Sequence, residues 1–307
     1  MDGLRYAMLP GRGALEISGA DVRSFLQGLV SNDIHKVAPD RAIYSALLTP
    51  QGRYLHDFFI VQVGSALVLD CEAARADDLR RRLSTYKLRS KVDIADAGQL
   101  FVIAALMGGS VSAALGLANE AGAAKAFAGG AVYVDPRLAE AGCRAILPRE
   151  GAGRTLTDAG FTETGFQDYE RLRLSLGLPD GSRDLEVEKA ILLENGFDEL
   201  HGIDWDKGCY MGQELTARTR YRGLVRKRLM PVEIDGPAPK PGTPVMLAGK
   251  EAGEMRSALD GIGLALIRLE TLAEAEKGGA ALLSGTAKLR PTKPDWARFP
   301  AADEIGT

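Results

Sequence analysis

Cysteine and histidine are scarce in this 307-residue sequence, which has three of each. The cysteines, Cys71, Cys143 and Cys209, are far apart, and no Cys-x-x-Cys or His-x-x-x-His spacing occurs. This spacing argues against a self-contained zinc or iron–sulfur site. An odd, sparse set of cysteines also argues against a disulfide-stapled secreted protein and favours a reducing compartment.

Long apolar runs and a strong net charge are missing too. No run approaches the length needed to span a membrane, and the start of the chain, 1–6, has neither a signal-peptide core nor an Arg/Ser-rich transit character. We therefore expect a cytoplasmic location and no membrane partner. The net charge is -3, so no global field attracts nucleic acid, and any anion site has to be local.

The rest of the composition is that of an ordinary globular protein, with 46% hydrophobic and 26% charged residues over a length that allows two or three domains. Turn signals at 50–52 and 64–65 bracket a strand over Tyr54–Val63, which is expected to form a hairpin with Ala66–Cys71. A surface helix is predicted over 72–88, with Leu79, Leu83 and Tyr86 on one face. The mixed order of elements predicts an α+β fold with helices on one side of antiparallel sheets.

The character of the sequence changes after Leu229. Short strands separated by Gly/Pro turns are predicted over 231–234, 244–247, 261–267 and 280–289. This pattern is typical of a small β-barrel of about 80 residues.

The stretch 205–214 holds the most reactive side chain of the sequence. Gly208 and Gly212 bracket Cys209 and Tyr210, and the segment runs into residues that can begin a helix. The positive end of a helix dipole and the nearby Lys207 both stabilise a thiolate relative to a thiol. The alternative is a tight loop that contains a buried, structural cysteine.

Three polar positions elsewhere suggest a pocket. Asn32 and Asp33 follow a short helix predicted over 19–28, and an Asx turn after the helix is an equal alternative. His56 and Asp57 are neighbours in the first hairpin strand and face opposite sides of the sheet, where Asp57 either lines a pocket or faces solvent. Glu194 follows three aliphatic residues and either anchors a ligand or turns out to water at a strand end.

A basic run follows the cysteine segment. Six cations fall within eleven residues that contain no acid: Arg218, Arg220, Arg222, Arg226, Lys227 and Arg228. Tyr221 is the sole aromatic residue of the run, so the stacking platform of a single-strand nucleic-acid binder is thin. A solvated basic face is the favoured interpretation, a local phosphate or polycarboxylate contact is the alternative, and nucleic acid is an unlikely partner.

The segment Lys207–Glu214, followed by Thr216–Arg218, resembles the K-G-C-Y-x-G-Q-E signature of the YgfZ-type folate-binding proteins. That group includes a mitochondrial factor for iron–sulfur cluster assembly and is more distantly similar to the aminomethyltransferase (T protein) of the glycine cleavage system. Weaker matches extend the resemblance to about residues 20–300, at Phe25–Gly28 with Ser31–Asp33, Gly52–Arg53 with His56–Phe58, and Leu172–Arg173 with Gly177–Pro179.

The resemblance implies an aminomethyltransferase-like architecture. Two interleaved α+β subdomains, formed by residues 1–228, are expected to surround a central cavity, and residues 229–307 are expected to form the C-terminal β-barrel. The implied function is that of a folate-binding protein that assists iron–sulfur cluster assembly or repair in client proteins. The implied cofactor is tetrahydrofolate or a one-carbon derivative, and the implied partners are iron–sulfur carrier or client proteins.

The resemblance also assigns roles to individual residues. Cys209 is the functional cysteine and, as a metal ligand, holds an iron–sulfur cluster shared transiently with a partner. The folate contacts are expected at Glu194, Asn32, Tyr210, Gln213 and Arg218. Aminomethyltransferases carry paired aspartates where this chain has His56 and Asp57. The alternative function is a tetrahydrofolate-dependent aminomethyl or one-carbon transferase, in which Asp57 or Glu194 orients or protonates the amine.

Overall fold

The computed structural model of the chain describes residues 3–223 and 225–299, so residues 1, 2, 224 and 300–307 of the two expected domains lie outside the described part. The chain forms two compact units. The first comprises the chain up to Pro50, Leu55–Tyr169 and Leu200–Gln213, and the second comprises Gln51–Tyr54, Glu170–Glu199 and the chain from Glu214 onward. The domain boundary at 228/229 stays a prediction. No helix in the described part is both long and apolar enough to cross a membrane.

The first unit is built on two β-sheets. Its strands are β1 (Arg5–Met8), β2 (Arg12–Ser18), β3 (Ile43–Leu48), β4 (Tyr54–Val63), β5 (Ala66–Glu72), β6 (Asp93–Asp96), β7 (Phe101–Met107), β8 (Ala124–Phe127), β9 (Gly130–Val134), β10 (Cys143–Pro148) and β11 (Thr162–Glu163). Its helices are α1 (Val22–Gln27), α2 (Ala76–Lys87), α3 (Val111–Ala114), α4 (Ala152–Asp158) and the start of α5 (Phe166–Ser175).

The two sheets interleave along the chain. One has the strand order β11-β1-β7-β10-β9-β8 and the other β3-β4-β5-β2-β6, so the chain leaves the first sheet after β1 and returns to it at β7. β4 and β5 pair antiparallel as the predicted hairpin, and β1 pairs antiparallel with β7 but parallel with β11. The predicted hairpin is therefore confirmed.

The helix α2 shows how well periodicity predicts burial. Leu79 and Leu83, one turn apart, are buried as expected, but Tyr86, which was expected on the same face, is 40% exposed near the helix end.

The strand β4 lies in the interior of the first unit. Its first eight residues are all buried, because this strand is covered on both faces.

A buried ionic cluster connects the two sheets of the first unit. Asp70 of β5 accepts hydrogen bonds from Arg12 Nε (2.7 Å) and from Arg144 Nη2 of β10 (2.6 Å), and also from the Tyr133 hydroxyl (3.1 Å). The Arg144 guanidinium lies 4.3 Å from the centre of the Phe59 ring. Every charge in this cluster has a partner, as a buried charge requires.

The second unit contains the closed barrel. Its strands are β12 (Lys227–Asp235), β13 (Pro244–Leu247), β14 (Lys250–Leu259), β15 (Ile262–Arg268), β16 (Leu282–Ser284) and β17 (Ala287–Pro291), in the order β12-β15-β14-β13-β16-β17. The remaining helices are α6 (Gln213–Tyr221) and α7 (Leu269–Gly278). The predicted small barrel is confirmed, although α7 was not expected. Leu269 and Leu272 of α7 pack with the barrel core.

Candidate functional site

Cys209 lies in an exposed loop just before α6. The backbone takes positive φ values at Gly208 (+87°) and Gly212 (+81°), a conformation that favours glycine. α6 begins at Gln213, whose side-chain Oε1 accepts the backbone N–H of Tyr210 (3.2 Å). Cys209 is exposed, in contrast to the buried Cys71 and Cys143. The alternative of a buried, structural cysteine at position 209 is therefore excluded.

The cysteine loop is fixed to the turn that follows α1. Lys207 Nζ donates to the carbonyl oxygens of Val30 (2.5 Å) and Asn32 (2.8 Å). In return, the Gln27 side chain donates to the Lys207 carbonyl (3.1 Å), and the Met211 N–H donates to the Gly28 carbonyl (3.0 Å). Burial lowers the pKa of Lys207 to about 8, against the opposing effect of nearby aspartates. These four hydrogen bonds hold the loop that presents the thiol.

Asn32 stabilises the same turn. Its side-chain N–H2 donates to the carbonyl oxygens of Tyr44 and His201, both at 2.7 Å, and its Oδ1 accepts the N–H of Asp33 (2.8 Å). The Asp33 carboxylate then accepts the N–H of His35 (2.9 Å), which is an Asx turn. The amide of Asn32 therefore has partners from the chain itself, and its contact with folate stays a prediction.

His56 and Asp57 are both buried, on opposite faces of β4. The Tyr44 hydroxyl donates to Asp57 Oδ2 (2.8 Å), so the alternative of a solvent-facing Asp57 is excluded. His56 Nε2 lies 3.0 Å from Asp78 Oδ2. Burial and the nearby Arg75 lower the pKa of His56 to about 4, so the imidazole is neutral at pH 7.

Glu194 lines a cavity of about 300 Å³ within the second unit. It lies in a short 3-10 turn, Leu192–Asn195, and Arg53, Lys227 and Arg256 line the same cavity. Within the described residues, the half-buried carboxylate of Glu194 has no hydrogen bond or ion pair. Burial raises its pKa, although Lys227 and Arg53 act in the opposite direction. An unpartnered carboxylate inside a cavity is a suitable acceptor for the N–H groups of a ligand.

The predicted site residues are divided between the two units. The first unit contains Cys209, Asn32, Asp57, Tyr210 and Gln213, and the second contains Glu194 and Arg218. The structure brings the Cys209 loop and the Asn32 turn together through Lys207. Arg218 forms an ion pair with Glu214 (2.6 Å), one helical turn earlier.

Gln27 is a site residue that the sequence analysis placed near the site without assigning it a role. Its Oε1 accepts the N–H of Ile34 (2.9 Å), and its Nε2 donates to Lys207, so one side chain connects α1, the following turn and the cysteine loop. The available signal was a polar residue in the last position of α1, directly after the buried Phe25 and Leu26. No three His, Cys, Asp or Glu side chains of the described chain converge closely enough to hold a metal ion.

Cys209 is expected to be the one cysteine that an alkylating reagent modifies in the folded protein. Burial raises the pKa of both Cys71 and Cys143 to about 12, so each is a shielded thiol at pH 8. Iodoacetamide should therefore add one carbamidomethyl group, at Cys209, as measured by mass spectrometry. The Cys209→Ser protein is the control and should gain none until it is unfolded. Native labelling of Cys71 or Cys143 would contradict the burial described here.

The fold resembles known proteins in both units. Residues 11–128 match the GCVT N-terminal domain, and residues 226–299 match the CAF17 C-terminal beta-barrel domain. The solved structure of glycine cleavage system aminomethyltransferase T from Bartonella henselae has a TM-score of 0.75 over 96% of this chain and 87% of that chain, at 14% identity. These matches define an aminomethyltransferase-like protein with a C-terminal β-barrel, and they confirm the predicted fold class.

Sequence similarity identifies the family more closely. The chain is 33% identical to the human mitochondrial iron–sulfur cluster assembly factor IBA57, over 94% of this chain and 84% of that protein, and 32% identical to its mouse counterpart over the same shares. A homolog from Mycosarcoma maydis is 31% identical, over 87% and 74%. The chain therefore belongs to the IBA57 family of iron–sulfur cluster assembly factors. The finer YgfZ-type assignment stays a prediction.

The expected cytoplasmic location is wrong. The relatives named above are mitochondrial proteins, which points to that compartment instead. The inference failed because sparse cysteines distinguish reducing from oxidising compartments but do not distinguish one reducing compartment from another.

Proposed function

We propose that this protein binds a reduced folate and assists the assembly or repair of iron–sulfur clusters in client proteins, with Cys209 as a transient cluster ligand. The family membership supports the role in cluster assembly. The observation that carries the proposal is the exposed Cys209 in a loop held by hydrogen bonds from Lys207, Gln27 and Met211. A thiol that is both accessible and positioned suits a ligand that exchanges between two proteins.

The cluster is the cargo of this proposed reaction. Iron–sulfur clusters are usually held by about four thiolate-class ligands, and Cys209 supplies one. The other ligands then come from a carrier, a client or a small thiol. The cluster therefore forms or passes at an interface, and the product of the reaction is a partner's cofactor.

The proposed folate site is the cavity that contains Glu194. A volume of about 300 Å³ is at the lower end of ligand pockets and suits a bicyclic ring. The carboxylate of Glu194 would accept two N–H groups of a pterin, and Arg53 and Lys227 would attract the glutamate carboxylates of the folate. The proposed domains are residues 1–228 and a barrel domain of residues 229–307, and Glu251 and Arg256 of the barrel also line this cavity. Asn32, Tyr210, Gln213 and Arg218 do not line this cavity, and their contact with folate stays a prediction from the resemblance.

The transferase alternative needs a carboxylate that orients or protonates the amine, and Asp57 and Glu194 are the two candidates. For Asp57 the geometry is unfavourable. That role requires the carboxylate to reach an amine substrate, whereas Asp57 is 4% exposed and hydrogen-bonded to Tyr44. We therefore place this function second. Its test is turnover of an aminomethyl substrate with tetrahydrofolate, which has to be lost in Asp57→Asn and retained in Cys209→Ser.

Cluster transfer is expected to depend on the Cys209 thiol. A [2Fe–2S] cluster is reconstituted on the protein with a carrier, and transfer to an apo-ferredoxin is followed by circular dichroism. We expect Cys209→Ser to slow transfer by about 100-fold, because a hydroxyl is a poor substitute for a soft thiolate ligand. Alkylated unmutated protein should behave in the same way, and alkylation of Cys209→Ser should change nothing further. Equal transfer by Cys209→Ser and the unmutated protein would reject the cluster role.

The folate part of the proposal has an independent test. Binding of tetrahydrofolate is measured by calorimetry for the unmutated protein, Glu194→Gln and Glu251→Gln. Glu251 lines the same cavity but pairs with Arg268 (3.8 Å), so it controls for the loss of one negative charge. Glutamine replaces one acceptor oxygen by a donor, and we expect Glu194→Gln to raise the Kd by about 10-fold or more. Equal Kd values for Glu194→Gln and Glu251→Gln would show that Glu194 does not contact the folate.

A further inference from the structure

The end of α6 carries an exposed strip of arginine and tyrosine. Arg218, Tyr221 and Arg222 are spaced i, i+3 and i+4, so they lie on one helix face, while Thr216 and Thr219 are buried. The N–H of Arg222 donates to the Arg218 carbonyl (3.1 Å), so the helical hydrogen bonding extends one residue beyond the helix end. Tyr221 is 82% exposed.

The strip is positively charged on a protein whose net charge is negative. Residues 215–228 contain no acid, and Glu214, at the start of the helix, is already paired with Arg218. Arg222 and Arg226 are exposed, and neither side chain has a hydrogen bond or ion pair within the described chain. Arg228, in contrast, is buried against Glu199 and the Leu193 carbonyl, so it has a structural role. We define the α6 strip as Arg218, Tyr221 and Arg222, which share a helix face, together with the exposed Arg226, which lies beyond the end of the helix.

We propose that the α6 strip is the docking surface for an acidic protein that exchanges an iron–sulfur cluster with Cys209. The identity of the exchanged cargo rests on the function proposed above. Cys209 lies four positions before the first residue of α6, and Arg218, the first residue of the strip, lies nine positions after Cys209 in the sequence. A cluster held by thiolates is itself anionic, and an acidic surface around it would add to the attraction.

The composition of the strip favours a protein partner. Arginine and tyrosine are enriched in protein–protein interfaces and dominate their binding energy. A binder of single-stranded nucleic acid would need several aromatic side chains, and the strip offers one.

The test compares two charge reversals of equal size. Arg222→Glu/Arg226→Glu changes the strip, and Arg154→Glu/Arg290→Glu changes two side chains that are 88% and 78% exposed elsewhere on the surface. The probe is a small, acidic, cluster-loaded [2Fe–2S] ferredoxin, and its Kd is measured at low and at physiological salt. We expect the strip variant to raise the Kd by about 10-fold or more and the control by less than about 2-fold. The difference should shrink as salt rises.

Tyr221→Ala provides a second variant that leaves the charge unchanged. We expect it to raise the Kd for the ferredoxin by about 5-fold or more, because an exposed tyrosine at a contact contributes apolar area. Equal Kd values for the strip variant, the control variant and the unmutated protein would overturn the proposal. A 20-nucleotide RNA that binds more tightly than the ferredoxin, and loses affinity in Arg222→Glu/Arg226→Glu, would overturn it in favour of nucleic acid.

The Cys209→Ser variant allows the docking surface and the proposed cluster role to be tested independently. If the surface and the function are both correct, Cys209→Ser binds the ferredoxin normally but does not transfer the cluster. Transfer should also recover in Arg222→Glu/Arg226→Glu when the partner concentration is raised. If Cys209→Ser transfers the cluster normally while the strip variant still binds the ferredoxin weakly, the role of Cys209 as a cluster ligand is rejected and the docking surface is supported.

Discussion

Asp70→Asn is expected to lower the free energy of unfolding of the first unit by about 3–5 kcal/mol at pH 7, because it leaves buried arginines without their counter-charge. Asp70 is fully buried, and its two oxygens are shared by Arg12, Arg144 and Tyr133. Urea unfolding measures the change. In a Trp296→Phe background, Trp205 is the single tryptophan and reports on the first unit.

The control for this prediction is Asp158→Asn in the same unit. The side chains of Asp158 and its partner Arg154 are 71% and 88% exposed, so their ion pair is screened by water and its loss should have no measurable effect. Equal unfolding midpoints for Asp70→Asn and Asp158→Asn would show that the ionic cluster does not hold the two sheets together.

The difference in stability between Asp70→Asn and the unmutated protein should become smaller as the pH falls. Burial alone would raise the pKa of Asp70, but Arg12 and Arg144 outweigh it and hold the pKa below its usual value. As the pH falls below the unfolded pKa of about 4, the unfolded chain takes up the proton first, so the stabilisation is lost. Asparagine does not titrate, and the stabilities of the two proteins should therefore converge on acidification.

The ionic cluster around Asp70 could not be predicted from local sequence patterns. Turn residues and apolar runs are local signals, and they predicted the β4–β5 hairpin and the barrel. Arg144 and Asp70 are 74 positions apart, and a charged residue within a strand looks the same whether it faces water or a partner in another sheet. Their burial became evident once the two sheets were seen to interleave.

In the candidate site, the accessible cysteine loop was predictable from the sequence, but the long-range contacts around it were not. The spacing of Gly208, Cys209 and Gly212 indicated an accessible loop, because glycines there permit positive φ values. The hydrogen bond from Gln27 to Lys207 spans 180 positions, so no local pattern could reveal what holds the loop. Glu194 was predicted as a ligand anchor, but the other residues of its cavity were not, because Arg53 and Lys227 come from distant parts of the chain.

Arg173→Met is expected to destabilise the second unit by about 3–5 kcal/mol and to abolish folate binding in the cavity of Glu194. Arg173 is fully buried and bonds to Glu170 (2.6 and 2.8 Å) and Asp184 (2.7 Å). Two further hydrogen bonds, to the Leu178 carbonyl and the Ser257 hydroxyl, use its remaining donors. Asp184 lines the cavity, so the loss of Arg173 leaves its carboxylate without a counter-charge, although the Asp180 N–H and the Ser257 hydroxyl still donate to it.

Two measurements test the Arg173→Met prediction, and a substitution of the neighbouring Arg171 is the control for both. In a Trp205→Phe background, Trp296 reports urea unfolding of the second unit, and calorimetry reports tetrahydrofolate binding. Arg171 is two residues earlier on α5 and forms an exposed ion pair with Asp260, so Arg171→Met should leave both quantities nearly unchanged. Arg173→Lys restores the charge without the planar set of five donors and should recover only part of the stability. If Arg173→Met were as stable as Arg171→Met, the buried arginine would not support the cavity wall.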